Sequence, residues 1–109
     1  MTPRAALEAH WLALTRERMP AAARARPDWP VRLDHCFQRI LLDNAAGRVW
    51  YEVVPRRPAY RHADADLLTR AVRLGEAVLD GEADLSALDR RSLALRGKAG
   101  PPRPAALRR

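Results

Sequence analysis

The stretch VRLDHCFQRILLDN, residues 31–44, decides the fold. Its apolar positions recur three or four residues apart, which is the spacing of one face of an α-helix. That face carries Leu33, Cys36, Phe37, Ile40, Leu41 and Asn44, and the opposite face carries Asp34, His35, Gln38, Arg39 and Asp43. The pattern predicts an amphipathic helix over 31–44, with Gly47 just beyond it as the residue that stops it.

Three further segments show the same helical periodicity. On the amino-terminal side, residues 5–19 place large apolar side chains on one face, and Pro20 is expected to end that helix. On the carboxyl-terminal side, residues 64–80 and 84–96 each begin near an aspartate suited to cap a helix, and each precedes a glycine suited to end one. We therefore predict an all-α fold, a small bundle of about four helices.

The segments between and after these helices are predicted to be irregular. Residues 48–54 are rich in β-branched and aromatic side chains, so we expect one short extended segment there. Residues 55–62 form a basic loop interrupted by proline. Glycine, proline and arginine dominate residues 98–109, a composition typical of a disordered basic tail. We therefore assign a single helical domain to 1–97 and the tail to 98–109.

The chain is strongly basic, with 20 Lys and Arg against 13 Asp and Glu and a formal net charge of +7. Nineteen of the basic residues are arginine, whose planar guanidinium suits bidentate contacts to phosphate or carboxylate. The excess is concentrated in residues 1–62 and in the tail, whereas residues 63–97 are slightly acidic. The charge predicts acidic partners, with nucleic acid first and an acidic protein surface as the alternative.

Other features of the composition limit the class of protein. A single cysteine, Cys36, excludes an internal disulfide and favours a reducing compartment. No run of about 18 apolar residues is present, and the first residues lack the apolar core of a signal peptide. We therefore expect a cytoplasmic protein that does not span a membrane.

The segment RVWYEVVPRRPAYRH, residues 48–62, interleaves arginine with aromatic residues. Arginine neutralises phosphate while aromatic rings stack on unpaired bases, which is the physical basis of single-strand recognition. The candidate binding residues are Arg48, Trp50, Tyr51, Arg56, Arg57, Tyr60, Arg61 and His62. In the alternative interpretation, Trp50 and Tyr60 anchor the core and the arginines only solvate a loop. The sequence is consistent with both.

The polar face of the helix predicted at 31–44 is the second candidate site. Its residues are Asp34, His35, Arg39 and Asp43. Positions 35, 39 and 43 are four apart, so their side chains form one stripe. This polar stripe is either a solvated surface with weak ion pairs or a cluster that faces a ligand or partner.

We expect no metal, no cofactor and no catalytic residue. The three histidines and one cysteine lack the spacing of a zinc site. His35 and Cys36 are adjacent, so on a helix they point about 100° apart and do not form a nucleophile and base pair. No glycine-rich phosphate loop is present, and Gly75, within the helix predicted at 64–80, is expected to allow close helix packing.

The joined pattern VRLDHCFQRILLDNAAGRVWYEV, RPAY and SLALRGK resembles a group of small bacterial proteins catalogued as GNAT-type N-acetyltransferases. The resemblance covers residues 11–98 and rests on Asp34, His35, Cys36, Phe37, Arg39, Asp43, Gly47, Trp50 and residues 58–60. Acetyltransferases of that class bind acetyl-CoA against a mixed β-sheet and hold its pyrophosphate with an Arg/Gln-x-x-Gly-x-Gly/Ala turn. This sequence contains no such turn, and its helical pattern leaves no room for the sheet, so the resemblance implies membership of the group and not this activity.

These observations rank three functions. The first is a small, non-enzymatic protein that engages nucleic acid or a nucleoprotein complex through an Arg/aromatic surface. The second is an adaptor or regulatory subunit that docks on an acidic protein partner. The third, which follows only from the label of that group, is a small N-acetyltransferase-like enzyme.

Overall fold

The structure is a computed structural model that describes residues 2–97. In chain order it contains α1 (Pro3–Ala13), a π-helical segment (Leu14–Arg18), α2 (Met19–Arg24), α3 (Asp34–Ala46), a 3₁₀ turn (Trp50–Glu52), α4 (Ala59–His62), α5 (Ala65–Leu79) and α6 (Leu85–Leu95). No strand is present in residues 2–97, and the predicted all-α class is confirmed. The tail predicted at 98–109 lies outside the described residues.

The first helical stretch continues through Pro20, so the prediction that this proline ends the helix is wrong. Proline has no amide hydrogen, and its ring crowds the carbonyl four residues before it. The π-helical segment immediately before α2 widens the helix at this point, because the Met19 amide donates to the Leu14 carbonyl, five residues earlier. The break in the α-helical hydrogen-bond pattern therefore falls where the proline requires it.

Helix α3 packs against α5, α6 and the π-helical segment, and it is the central element of the fold. Of the apolar face predicted for it, Phe37, Ile40 and Leu41 have no exposed surface. Cys36 and Asn44 are partly buried. Leu33 precedes the helix and is 58% exposed, so its predicted place on this face is wrong. The helix occupies Asp34–Ala46 rather than 31–44. It begins later because Leu33 has extended backbone, and it ends where Gly47 takes a left-handed conformation with φ of 73°.

Helices α5 and α6 begin and end close to the predicted positions. The carboxylates of Asp64 and Asp84 each accept a hydrogen bond from a backbone amide in the first turn, as expected of helix caps. Gly75 lies where α5 contacts the π-helical segment, and a Cβ atom at this position would be 2.6 Å from Cδ2 of Leu14. The predicted role of Gly75 in close helix packing is confirmed.

Residues 48–54 are not extended as predicted, because Trp50–Glu52 form a 3₁₀ turn. The amides of Val53 and Val54 both donate to the Trp50 carbonyl. The Trp50 amide itself donates to the carboxylate of Asp43 on α3, at 2.9 Å. This amide is therefore satisfied by a helix side chain and has no need of a partner strand.

One hydrophobic core joins the long helices. The first helical stretch contributes Trp11, Leu14 and Met19, each at most 1% exposed. From the segment between α3 and α5, the partly buried Trp50 and Tyr60 pack against this core. Within residues 2–97, no helix has both the length and the apolar composition of a membrane-spanning helix.

Candidate functional site

A pocket of about 600 Å³ opens between the first helical stretch, α3, the segment from the 3₁₀ turn to α4, and the end of α6. Its basic residues are Arg16, His35, Arg39, Arg57 and Arg96. Its aromatic residues are Trp11, Trp50, Tyr51 and Tyr60. No acidic side chain belongs to the lining formed by the described residues. We call this site the Arg/aromatic pocket.

Two arginines lie over aromatic rings in this pocket. The guanidinium carbon of Arg57 is 5.0 Å from the centroid of the Trp50 ring, and that of Arg96 is 5.4 Å from the centroid of the Tyr51 ring. The two rings meet edge to face, with centroids 5.6 Å apart. Both cations are close enough to the ring faces for favourable cation–π interactions. These four side chains therefore form one wall of the pocket.

Asp43 has no exposed surface, so the prediction that it belongs to a polar stripe facing solvent or a ligand is wrong. Its Oδ2 accepts hydrogen bonds from Ser92 Oγ and from Arg96 Nε, each at 2.7 Å. Its Oδ1 accepts from the Trp50 amide. A carboxylate is buried at tolerable cost when donors surround it, as they do here. The hydrogen bond to Asp43 is the main cause that raises the pKa of the Arg96 guanidinium.

Arg39 is fixed from α6 by two hydrogen bonds of 2.8 Å, from Nη1 to Ser92 Oγ and from Nη2 to Asp89 Oδ1. Ser92 also donates to Asp43, the carboxylate that Arg96 binds. The buried Ser92 hydroxyl therefore links Arg39 and Arg96, the two arginines of the pocket that have carboxylate partners within the protein. Arg39 and Arg96 are therefore held in place, with much of their charge compensated inside the protein.

Arg16 and Arg57 differ from these two, because neither forms an ion pair within residues 2–97. Both side chains are exposed. Arg16 comes from the π-helical segment, and Arg57 precedes α4. These two residues carry the uncompensated positive charge of the pocket, which attracts an anion.

The pocket joins parts of both candidate sites predicted from the sequence. From the loop candidate, the residues that line it are Trp50, Tyr51, Arg57 and Tyr60. The loop residues outside its lining are Arg48, Arg56, Arg61 and His62, all exposed. From the polar stripe, His35 and Arg39 line the pocket, whereas Asp34 lies outside it and accepts a hydrogen bond from the His35 amide. Tyr60 packs against the core, as the alternative interpretation predicted, and it also lines the pocket.

Sequence reasoning missed three main residues of the pocket, which are Trp11, Arg16 and Arg96. Trp11 is one of the large apolar side chains of residues 5–19, for which the sequence predicts a common helix face and no place in a pocket. Arg16 gives no local signal, because its direction depends on the π-helical segment. Arg96 belongs to the SLALRGK motif quoted for the resemblance, and this motif was the one available signal for it.

The described residues do not assemble metal ligands, since no group of three or more His, Cys, Asp or Glu side chains is placed to hold a metal ion within residues 2–97. Cys36 is a free, partly buried thiol on α3. His35, its neighbour in sequence, lines the Arg/aromatic pocket, whereas Cys36 does not. The chemistry that this lining supports is binding of an anionic ligand with flat apolar groups.

This chain matches no family model, no curated protein and no solved structure. The resemblance to small proteins catalogued as N-acetyltransferases is not tested by these comparisons and stays a prediction. Function is therefore inferred from the pocket itself.

Proposed function

We propose that this chain is a small, basic, non-enzymatic protein that binds nucleic acid through the Arg/aromatic pocket. The observation that carries the proposal is the described lining, in which four arginines and a histidine lie beside four aromatic rings without an acidic side chain. Guanidinium groups neutralise phosphates, and aromatic rings stack on bases of any sequence. The net charge of +7 adds a general attraction toward a polyanion.

The alternative partner, an acidic protein surface, uses the charge of this pocket but not its rings. The rings of Trp50, Tyr51 and Tyr60, which are accessible in one concave site, favour a ligand that has flat faces of its own next to anionic groups. Nucleic acid has this arrangement in every nucleotide. An acidic protein supplies carboxylates without regularly placed flat groups, so nucleic acid is the better match.

The test is the salt dependence of binding to a fluorescent single-stranded oligonucleotide, followed by anisotropy. The variant combines Arg16→Ala with Arg57→Ala. The matched control combines Arg90→Ala with Arg91→Ala, which removes the same charge from exposed positions on α6 outside the pocket. Each phosphate contact to a single strand contributes about 0.7 to the slope of log affinity against log salt, so the pocket variant should lower the slope by about 1.4. The control should keep the wild-type slope.

Two outcomes would contradict the proposal. The first is that the wild-type protein binds no oligonucleotide even at low salt, in which case an acidic protein partner becomes the leading alternative. The second is an equal loss of affinity in both double variants, because binding would then follow net charge and not the pocket.

A further inference from the structure

We infer that the Arg/aromatic pocket takes one unpaired nucleotide of a single strand, with its base against the Trp50 ring and its phosphate at Arg16 and Arg57. This inference rests on the proposed function and adds the form of nucleic acid that the site accepts. In a duplex the bases are paired and stacked, so a duplex presents mainly its phosphates to a concave site. An unpaired base is free to enter.

The size and shape of the pocket fit a single nucleotide. Its volume of about 600 Å³ lies within the usual range of small-molecule sites. Trp11 and Leu42, at most 2% exposed, are the most deeply buried of the side chains that line it. Tyr51, at 48% exposed, is the most open aromatic residue of the lining. Trp11 and Leu42 therefore leave little surface for a ligand. A flat base contacts the more open rings of Trp50, Tyr51 and Tyr60, while the phosphate remains toward solvent.

The distribution of charge determines where the phosphate lies. Arg39 and Arg96 each bind a carboxylate of the protein, Asp89 and Asp43 respectively. Among the described residues, neither Arg16 nor Arg57 has a carboxylate partner. A phosphate between these two side chains gains charge-assisted hydrogen bonds without displacing an internal carboxylate.

Trp50 is the ring that we expect to receive the base, because the arginine that lies over it, Arg57, has no ion pair that holds it there. Arg96 lies over the Tyr51 ring in the same way, but its ion pair with Asp43 holds it in place. The Arg57 guanidinium already covers one face of the indole at 5.0 Å, as a planar cation does on an aromatic surface. An entering base replaces this planar group on the ring. Arg57, which forms no ion pair in the described part of the chain, is then free to turn toward the phosphate.

Two probes of equal length separate this inference from the proposed function. One is oligo(dT), and the other is a strand of abasic phosphodiester units, both measured by competition against the same labelled strand. They carry the same phosphates, but only oligo(dT) has bases. We expect oligo(dT) to bind about 5- to 150-fold more tightly, the effect of one stacked base.

Equal affinity for both strands would overturn the inference and leave nucleic-acid binding intact. If the protein binds neither oligo(dT) nor the abasic strand, the proposed function is wrong, and the inference is wrong with it. This comparison uses only the wild-type protein, so it stands even if a variant fails to fold.

Tryptophan fluorescence identifies the ring. Oligo(dT) should quench the emission of the wild-type protein, and Trp50→Phe should remove this quenching. Trp29→Phe is the matched control. An arginine also lies over the Trp29 ring, with the guanidinium carbon of Arg26 at 4.9 Å from the ring centroid, but Trp29 lies outside the pocket. The control should keep the quenching. Quenching in Trp50→Phe equal to that of the wild type would overturn the assignment of the base to Trp50.

Discussion

The buried carboxylate of Asp43 and the guanidinium of Arg96 form an ion pair with an Oδ2 to Nε distance of 2.7 Å. This pair joins the last turns of α3 to the end of α6. Asp43 also accepts a hydrogen bond from the Trp50 amide, and the Arg96 guanidinium lies over the Tyr51 ring. One carboxylate therefore sets the positions of a cation and two aromatic residues in the Arg/aromatic pocket.

Replacement of this carboxylate should be costly. Asp43→Asn leaves the charge of Arg96 without its buried partner and reduces the number of acceptors for three donor groups. We expect the free energy of unfolding to fall by about 3 kcal/mol, measured by urea denaturation. Asp28→Asn, the same change at an exposed position, should alter stability by less than about 0.5 kcal/mol. A loss below about 1 kcal/mol in Asp43→Asn would show that the pair does not hold the pocket together.

A second ion-pair cluster predicts a dependence of stability on pH. Glu76 on α5 binds Arg18 through both carboxylate oxygens, at 2.6 and 2.7 Å, and its Oε2 is 2.7 Å from Nε2 of His10. The hydrogen bond from Arg18, followed by that from His10, lowers the pKa of Glu76 from 4.5 to about 2. Because the pKa is lower in the folded state, the stabilisation is complete above the unfolded pKa and is lost as the pH falls from about 4.5 to about 2.

The corresponding variant is Glu76→Gln. The cluster is partly exposed, so solvent screening limits the loss at neutral pH to about 1 kcal/mol or less. The difference in unfolding free energy between wild type and variant should shrink between pH 4.5 and pH 2, measured by urea denaturation at several pH values. A difference that stays constant over this range would contradict the assignment.

Gly75→Ala tests the close contact between α5 and the π-helical segment. The added methyl group would overlap Cδ2 of Leu14, a side chain with no exposed surface and little room to move. Overpacking costs about 1–3 kcal/mol, and the gain in helix propensity returns up to about 1 kcal/mol. We expect a net loss of about 1 kcal/mol, measured by thermal unfolding. An increase in stability would show that Leu14 repacks freely.

Tyr60→Ala should affect both stability and binding, because the ring packs against the core and lines the pocket. For a partly buried aromatic side chain we expect a loss of about 2 kcal/mol in unfolding free energy, together with weaker oligonucleotide binding. Tyr51→Ala is the matched comparison, since Tyr51 is exposed and should lose affinity with little change in stability. A Tyr60→Ala protein with wild-type stability would contradict the anchoring role.

The helices could be predicted where local signals agree with the hydrophobic period. Asp64 and Asp84 cap α5 and α6 within one turn of the residues whose amides they bind, so the signal and its effect lie close together in sequence. The 3₁₀ turn at Trp50–Glu52 could not be predicted in this way. It depends on Asp43, seven residues before Trp50 and on a different element.

The candidate site could be predicted only in two separate halves. The interleaving of arginine and aromatic residues identified Trp50 and Arg57, and the helical stripe identified Arg39. Their convergence depends on the buried contacts of α3 with α6, which are about fifty residues apart in the sequence. Asp43 was misassigned for the same reason, because the alternation of polar and apolar positions does not reveal a buried partner such as Arg96.

The π-helical segment Leu14–Arg18 also determines the angular phase of the first helical stretch. Successive side chains of an α-helix point about 100° apart around the helix axis. A π-helical turn holds about one residue more than an α-helical turn. This extra residue brings Trp11 and Met19, eight positions apart, onto the same core. Deletion of one residue within the segment would rotate α1 by about 100° relative to α2, which would move Arg4 away from the Tyr60 carbonyl that it now binds at 2.8 Å. The length of this segment is therefore as constrained as its composition, and deletion of a residue other than Arg16 there would disturb the pocket even though every residue that lines it is kept.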